Sequence, residues 1–361
     1  MDQAKEHIKK INKCISEWLR PDNKHLQQAI EKTVAEGLFS FEDIKFQVRA
    51  LKNSLKPENI DYWIAQSDIT PNSLRNRTIL CLHAGNLPLV GLQDFLAVII
   101  SGANYSGKLS KKDPYLLESF INIVDDHEVV QQIQYSTELD AFYDLSPDAW
   151  LFSGSRDNAA SVKNLLIAQN TVSQKTPSLI RTAFFSVAYI DNLEKETMYD
   201  LTEAVFRYGG SGCRSVALVV SPFSLNDIKC SYTDYIESYW LKNPQHEKPA
   251  KALEHRFALN KAVGINQAWL NDFLIEEGEE VPHQKFILNW LKGDFATFME
   301  AINNNADGLQ SAYSTANHIG KKAGKSFIEP LSKAQNPPIF WNPDNIDTLN
   351  WLNKNISCED Q

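Results

Sequence analysis

An alternation narrows what this chain can fold into more than any other feature. From Thr78 onward, short β-rich runs closed by glycine or a polar turn are followed by segments of helical period. Thr78–His83 (TILCLH) reads as a strand ending before Gly85, Val90–Ile100 as a helix and Asn104–Leu109 as the next strand. Pro114–Val124 reads as another helix, and Ala149–Phe152 as a strand closed by Gly154. The rhythm restarts near Ala183: strand Ala183–Ile190, helix Glu196–Tyr208, strand Val216–Val220, then strand Leu288–Leu291 and helix Phe295–Ile302. Strands alternating with helices of this length predict a parallel, doubly wound α/β sheet, since parallel neighbours need a crossover and a helix is the compact one. Ahead of this region the chain reads as amphipathic helices. Ile8, Ile11, Ile15 and Leu19 recur at helical spacing up to Pro21, and Leu26–Val34 and Ile44–Leu55 repeat the pattern. Ser231–Lys251, polar and rich in Tyr, reads as a loop-and-helix insertion, and Asn336-Pro337-Pro338 breaks the chain before a Trp- and Asn-rich end.

A chain of 361 residues predicts two packed α/β domains, and an apolar share of 43% is ample for two cores. The net charge of −9 and scattered basic residues argue against nucleic acid as a partner. Lys321, Lys322 and Lys325 are the densest basic patch and read as a solvated helix face. Five cysteines (Cys14, Cys81, Cys213, Cys230, Cys358) are odd in number, widely spaced and in no zinc-like pattern, and Cys81-x-His83 reads as a strand end rather than a metal site. The opening MDQAKEHIKK has no apolar signal region, and no apolar run approaches the roughly 18 residues of a membrane helix. A soluble, reducing, cytoplasmic protein with no membrane span and no bound metal is the expectation.

Chemistry concentrates at Phe206–Pro222, FRYGGSGCRSVALVVSP. Glycines on both sides of Cys213 let the backbone turn tightly and leave the sulfur open, and Arg214 with nearby amides favours the thiolate, the reactive form. The alternative is a buried cysteine beside a turn. Three further patterns stand at predicted strand ends, where open α/β sheets place ligands. They are Gly85-Asn86-Leu87-Pro88, Lys108-Leu109-Ser110 with Asp113-Pro114, and Phe152-Ser153-Gly154-Ser155.

Together and in this order, with Cys213 beyond them, these motifs resemble the aldehyde dehydrogenase superfamily. Ala301–Thr315 (AINNNADGLQSAYST) is similar to a segment of that family's catalytic domain. Within it, GNLPLVGLQDFLAVIISG followed by GKLSKKDPYLL resembles the acyl-CoA reductases of the LuxC type, which reduce activated fatty acyl groups to aldehydes. The resemblance runs from about Thr78 onward and implies an aldehyde-dehydrogenase-like fold. Residues 1–177 would hold the N-terminal helices and a doubly wound nicotinamide-binding domain, and 178–325 a smaller α/β catalytic domain. Residues 326–361 would return to the cofactor domain or reach a partner subunit. It implies that Cys213 attacks an acyl thioester and that Asn86 holds the oxyanion. Phe152, Ser153, Gly154 and Ser155 would face the cofactor pyrophosphate in place of a Gly-x-Gly-x-x-Gly run, Lys108 would contact its adenosine ribose, and Ser110 would also bind the cofactor. Lys111 stands where NAD-preferring members often carry Glu, so NADPH is the cofactor expected, although a merely solvated Lys111 stays open.

One departure bears on the reaction. Hydrolytic aldehyde dehydrogenases carry a Glu roughly 30 residues before the nucleophile to activate water. Here the matching position falls near Ile180 and Arg181, and no Asp or Glu occurs between Asp157 and Asp191. Glu280 is a distant substitute for that base, or a match to the family's nicotinamide-ribose carboxylate. The expected activity is therefore reduction of an acyl-CoA or acyl-carrier thioester to an aldehyde through a Cys213 acyl-enzyme. An aldehyde or semialdehyde dehydrogenase, coenzyme-A-acylating or not, stays open, as does a non-catalytic cofactor-binding subunit beside an acyl-transferring protein. An acyl-transferring partner and a homo-oligomer are compatible with either enzyme reading. His83 reads as a strand cap or a proton donor, His318 as exposed on a helix, and Arg181 and Arg214 as candidates for phosphate contacts.

Overall fold

The computed structural model describes residues 2–245, 251–270, 273–279, 281, 285–324 and 326–356. Glu280, Lys325 and Cys358 lie outside them. Two compact units emerge, 1–182 with 338–361, and 183–337. The sequence divisions stand at 177/178 and 325/326.

The first unit opens with α1 (Asp2–Trp18), α2 (Lys24–Ala35), α3 (Phe41–Ser54) and α4 (Pro57–Gln66). Their starts follow local chemistry. Asn23 and Ser40 accept the Leu26 and Asp43 N–H groups, and Pro57 supplies the first-turn φ that needs no donor. The alternating region then runs β1 (Thr78–Leu82), α5 (Leu92–Ser101), β2 (Asn104–Lys108), α6 (Leu116–Asp126), β3 (Ile133–Ser136), β4 (Ala149–Ser153), α7 (Arg156–Ala168) and β5 (Ser178–Arg181). These five strands form one parallel sheet in the order β3-β2-β1-β4-β5. Helix α5 is buried along nearly its whole surface because it is covered twice, by β1 and β2 on one side and by α1 and a C-terminal helix (Thr348–Ile356) on the other. It stops at Gly102, whose φ of 83° and close approach to Asn72 exclude a side chain. The C-terminal segment is integral to this core. Leu349, Leu352 and Ile356 are buried in it, Gln93 Nε2 donates to the Ile339 and Trp341 carbonyls, and Trp63 Nε1 donates to Asp347 at 3.3 Å.

The second unit runs β6 (Phe185–Tyr189), α8 (Lys195–Phe206), β7 (Val216–Ser221), α9 (Leu225–Lys242), α10 (Ala252–Val263), β8 (Gln267–Leu270), β9 (Phe273–Glu277), β10 (Ile287–Lys292), α11 (Phe295–Asn304) and β11 (Leu309–Ser314). A small ribbon, β12 (Lys322–Ala323) and β13 (Ser326–Phe327), precedes β14 (Glu329–Pro330). Seven strands form a sheet in the order β14-β11-β6-β7-β10-β9-β8, parallel except for β8. The segment read as a loop-and-helix insertion begins inside one continuous helix, α9. A Ser224–Asp227 capping box starts it, and Leu225, Ile228, Tyr232, Ile236 and Tyr239 bury one face. Tyrosines standing in for aliphatics disguised that stripe in the sequence.

Candidate active site

In the first unit, Leu82 stands level with Lys108 and with Phe152, so the chain segments after β1, β2 and β4 leave the sheet at one edge. Strand order reverses between β1 and β4. The crevice beyond the carboxyl ends at such a reversal is the ligand position of doubly wound sheets.

Asn86 is exposed on the loop after β1. Two contacts interlock that loop with the one after β2. A Cβ on Gly85 would meet the Ser110 hydroxyl oxygen at 2.2 Å, and Leu89, held at φ 60°, donates its N–H to Asp113 Oδ2 at 2.7 Å. Asp113 is buried. Burial raises its carboxyl from 3.8 to about 7, against the opposing pull of the Leu89 and Leu116 N–H groups. Lys108 and Ser110 are half-buried; burial first, then Lys111, pushes the Lys108 ammonium below its ordinary value. Lys111 is exposed and pairs with Glu138 at 2.7 Å, and that bond lowers the Glu138 carboxyl.

Beyond β4, the Phe152 ring belongs to the core with Leu80, Trp150 and Leu166. It also presses on Gly154, where a Cβ would lie 2.6 Å from the ring. Ser153 and Gly154 are half-buried, and Ser155 is exposed as the N-cap residue of the 13-residue α7. A short loop centred on Gly154 feeds the amino terminus of α7 at the strand-order reversal, where free backbone N–H groups can meet an anion, and Lys108 ends β2 on the other side of β1.

His83 is buried, and its Nε2 pairs with the Tyr105 hydroxyl at 2.7 Å. Burial lowers it to about 4, so it is neutral near pH 7. Arg181 does not offer itself to a phosphate. It is 5% exposed, and its Nη1 donates to Asp94 at 2.6 Å and its Nη2 to Thr348 at 2.5 Å.

In the second unit Cys213 is half-buried on the turn between α8 and β7. The helix stops at Phe206, and the chain reverses through left-handed positions: Tyr208 at φ 58°, Gly209 at 65°, Gly210 at 74° and Gly212 at 102°. Gly209 cannot hold a side chain, since its Cβ would stand 2.8 Å from Phe286. The turn closes on itself through Ser215, whose N–H donates to Gly212 O at 3.1 Å and whose hydroxyl donates to Ser211 O at 2.6 Å. Gln335 Nε2 in turn donates to the Ser215 oxygen at 3.3 Å. From β6, Ser186 donates its hydroxyl to Cys213 O at 2.8 Å. Tyr313 lies within the electrostatic reach of Glu329, Arg214 and Cys213; burial, then Glu329, raises its hydroxyl strongly. His318 is not the exposed helical residue expected. It sits on a 3₁₀ turn, half-buried, stacked on Phe295 at 4.1 Å, with its Nε2 3.5 Å from Asp191.

Ser186, Glu138 and the roles of Asp113 and Asp94 show only in the structure. Asp113 had a trace, an acidic residue before proline in a motif already suspect, whereas Ser186 is one serine in an apolar strand and gives none. Among the described residues, no helix is long and apolar enough to cross a membrane, and no group of three or more His, Cys, Asp or Glu is placed to hold a metal ion.

No family model and no curated protein matches the chain. Solved structures do. Aldehyde dehydrogenase 21 from Physcomitrella patens, in complex with its reaction product succinate, superposes with a TM-score of 0.62 at 14% identity, over 87% of this chain and 73% of that one. An NAD-dependent benzaldehyde dehydrogenase from Corynebacterium glutamicum gives 0.60 at 13%, over 85% and 76%. The P. syringae indole-3-acetaldehyde dehydrogenase AldA, a mutant holding NAD+ and IAA, gives 0.58 at 14%, over 88% and 77%. The chain has the aldehyde dehydrogenase fold.

Proposed function

We propose that this chain is a nicotinamide-dependent oxidoreductase that reduces an acyl thioester to an aldehyde through Cys213. The observation that favours reduction over hydrolysis is at β5. Where hydrolytic members of the fold keep a base, Arg181 is buried and held by Asp94 and Thr348, and the sequence has no carboxylate between Asp157 and Asp191. A thioester on Cys213 then meets no residue from this stretch that could activate water, and it persists.

In this reading the Cys213 thiolate attacks the thioester carbonyl, and collapse of the tetrahedral adduct expels coenzyme A or the carrier as its thiolate, which takes a proton from solvent. Asn86 stabilises the oxyanion of that adduct, a donor worth about 3 kcal/mol in comparable sites. The loop Ser153–Ser155 and the amino end of α7 would hold the cofactor pyrophosphate, Lys108 would orient its adenosine ribose, and Ser110 would line the same cofactor site. When bound, a reduced nicotinamide would supply the hydride that reduces the acyl group on Cys213. The resulting tetrahedral oxyanion releases the aldehyde, and the electron pair of the carbon–sulfur bond returns to Cys213 as thiolate. Lys111 draws a 2′-phosphate, which competes with Glu138 for the ammonium and makes NADPH the preferred cofactor. The same missing base serves a coenzyme-A-acylating aldehyde dehydrogenase, the reverse of this reaction.

Purified protein assayed with an acyl-CoA series and NADPH or NADH tests the reading. Cys213→Ser should lose at least 100-fold in kcat, by the roughly 10²-fold or larger losses typical when a covalent nucleophile is removed. Undiminished aldehyde formation by that variant excludes the mechanism. Lys111→Glu should shift the NADPH/NADH ratio of kcat/KM toward NADH, and an unchanged ratio removes Lys111 from cofactor choice.

A further inference from the structure

The β6 strand is flanked by an irregularity on each side at the same residue. Against β7, Ser186 pairs with Val216 but Val187 pairs with Leu218, so Ala217 is extra. Against β11, Phe185 pairs with Leu309 and Val187 with Ala312, so Gln310 and Ser311 both stand against Ser186. A bulge takes backbone groups out of the ladder and re-aims the strand, and bulges recur beside active sites. Here one side chain takes up a backbone group freed by one bulge and reaches from there to the turn ahead of β7. The Ser186 hydroxyl accepts the Ser311 N–H at 3.2 Å and donates to Cys213 O at 2.8 Å, while the Ser186 N–H donates to Ser215 O at 2.9 Å. Ser186 therefore grips the cysteine turn at two carbonyls two residues apart. It is 0% exposed, so no water substitutes for the hydroxyl. On the far side the bracket continues, since the Ser311 hydroxyl donates to Glu329 Oε1 at 2.9 Å.

We propose that Ser186 is the positioning residue of the cysteine turn, fixing the Cys213 peptide, and with it the direction of the thiol, from the double bulge in β6. The turn needs such a brace. Gly209, Gly210 and Gly212 open backbone conformations that other residues resist, and beside the bonds by which Ser215 closes the turn the Ser186 hydroxyl holds the Cys213 carbonyl itself. The inference rests on the reading of Cys213 as the nucleophile.

The test uses the full chain and iodoacetamide, whose carbon is attacked by the thiolate with loss of iodide, read at the Cys213 peptide by mass spectrometry from about pH 6 to about pH 10. Exposed Cys230 is the internal control. In Ser186→Ala the labelling rate at Cys213 should fall about tenfold while Cys230 is unchanged. Its kcat with acyl-CoA and NADPH should fall by roughly 10- to 100-fold, the usual effect of a misplaced reacting group, with the cofactor KM within twofold. Ser186→Thr, which restores the hydroxyl, should recover most of both. Labelling and kcat in Ser186→Ala within twofold of wild type overturn the proposal, even if the protein melts earlier. Should Ser186→Ala not fold, Ser186→Cys offers a weaker donor of similar size, and wild-type labelling at Cys213 there is equally fatal. Cys213→Ser assayed alongside separates the two failures. Turnover surviving in Cys213→Ser removes the nucleophile reading itself; turnover lost there but kept in Ser186→Ala removes only Ser186.

Discussion

Asp113 joins the two loops that the proposed chemistry needs most. It takes the N–H of Leu89, three residues beyond Asn86, from a loop that itself begins at Lys108. The bond also secures Leu89 in a left-handed conformation that a branched side chain adopts reluctantly. Its cost is a buried carboxyl raised to about 7, and this sets a direction for stability. Between about pH 4 and about pH 7 the folded chain keeps a proton that the unfolded chain has lost, so this group lowers stability as pH rises through that window and adds no further change above it. Asp113→Asn keeps an acceptor for Leu89 and removes the titration. The melting temperature of Asp113→Asn minus that of wild type should therefore rise from pH 5 to pH 8; a difference flat with pH would dismiss this account of Asp113. None of this could be read from the sequence. Asp113 stood inside a recognised motif, but its burial depends on where β1 and β2 bring two loops together. Lys111 was legible as a cation, whereas its pairing with Glu138, 27 positions away, needed the strand order.

Elements were legible in proportion to how much apolar surface they bury. β1, β4, β6, β7 and β10 are short apolar runs bounded by turn residues, and their sequence ranges lie within a few residues of the observed ones. The parallel, doubly wound architecture followed from them, and the observed fold agrees. Strands β3 (IQYS) and β5 (SLIR) left almost no apolar trace, because they are the two edge strands of their sheet and mix polar with apolar residues. Helix α7 escaped notice because Leu166 is its one fully buried residue, and α9 because its stripe is built with tyrosine. The cysteine turn shows the complementary case. Its glycines announced a reversal, and the reversal is there, but the two bulges in β6 that brace it pair residues 30 and 125 positions apart and leave no local pattern.

At the scale of the whole molecule, the first unit is assembled from two separated stretches of chain. Removing residues 338–361 would expose the face of α5, strip Arg181 of its Thr348 partner and leave Gln93 and Trp63 without the acceptors they now have. Uncovering Leu349, Leu352 and Ile356 alone forfeits about 1.5–3 kcal/mol each, of order the entire stability of an ordinary domain. A chain ending at Pro337 should therefore lose cooperative thermal unfolding of the first unit and be recovered mainly as aggregate. A sharp melt at the wild-type temperature would show that the segment is dispensable.

That arrangement has a consequence for how the protein comes into being. On a ribosome, residues 183–337 emerge in one continuous piece and can complete their own sheet, whereas the earlier-born sheet waits with a greasy helix face bare until residues 338–361 arrive. The half made first is thus the half finished last, and the nascent chain is most in need of a chaperone during the interval between them.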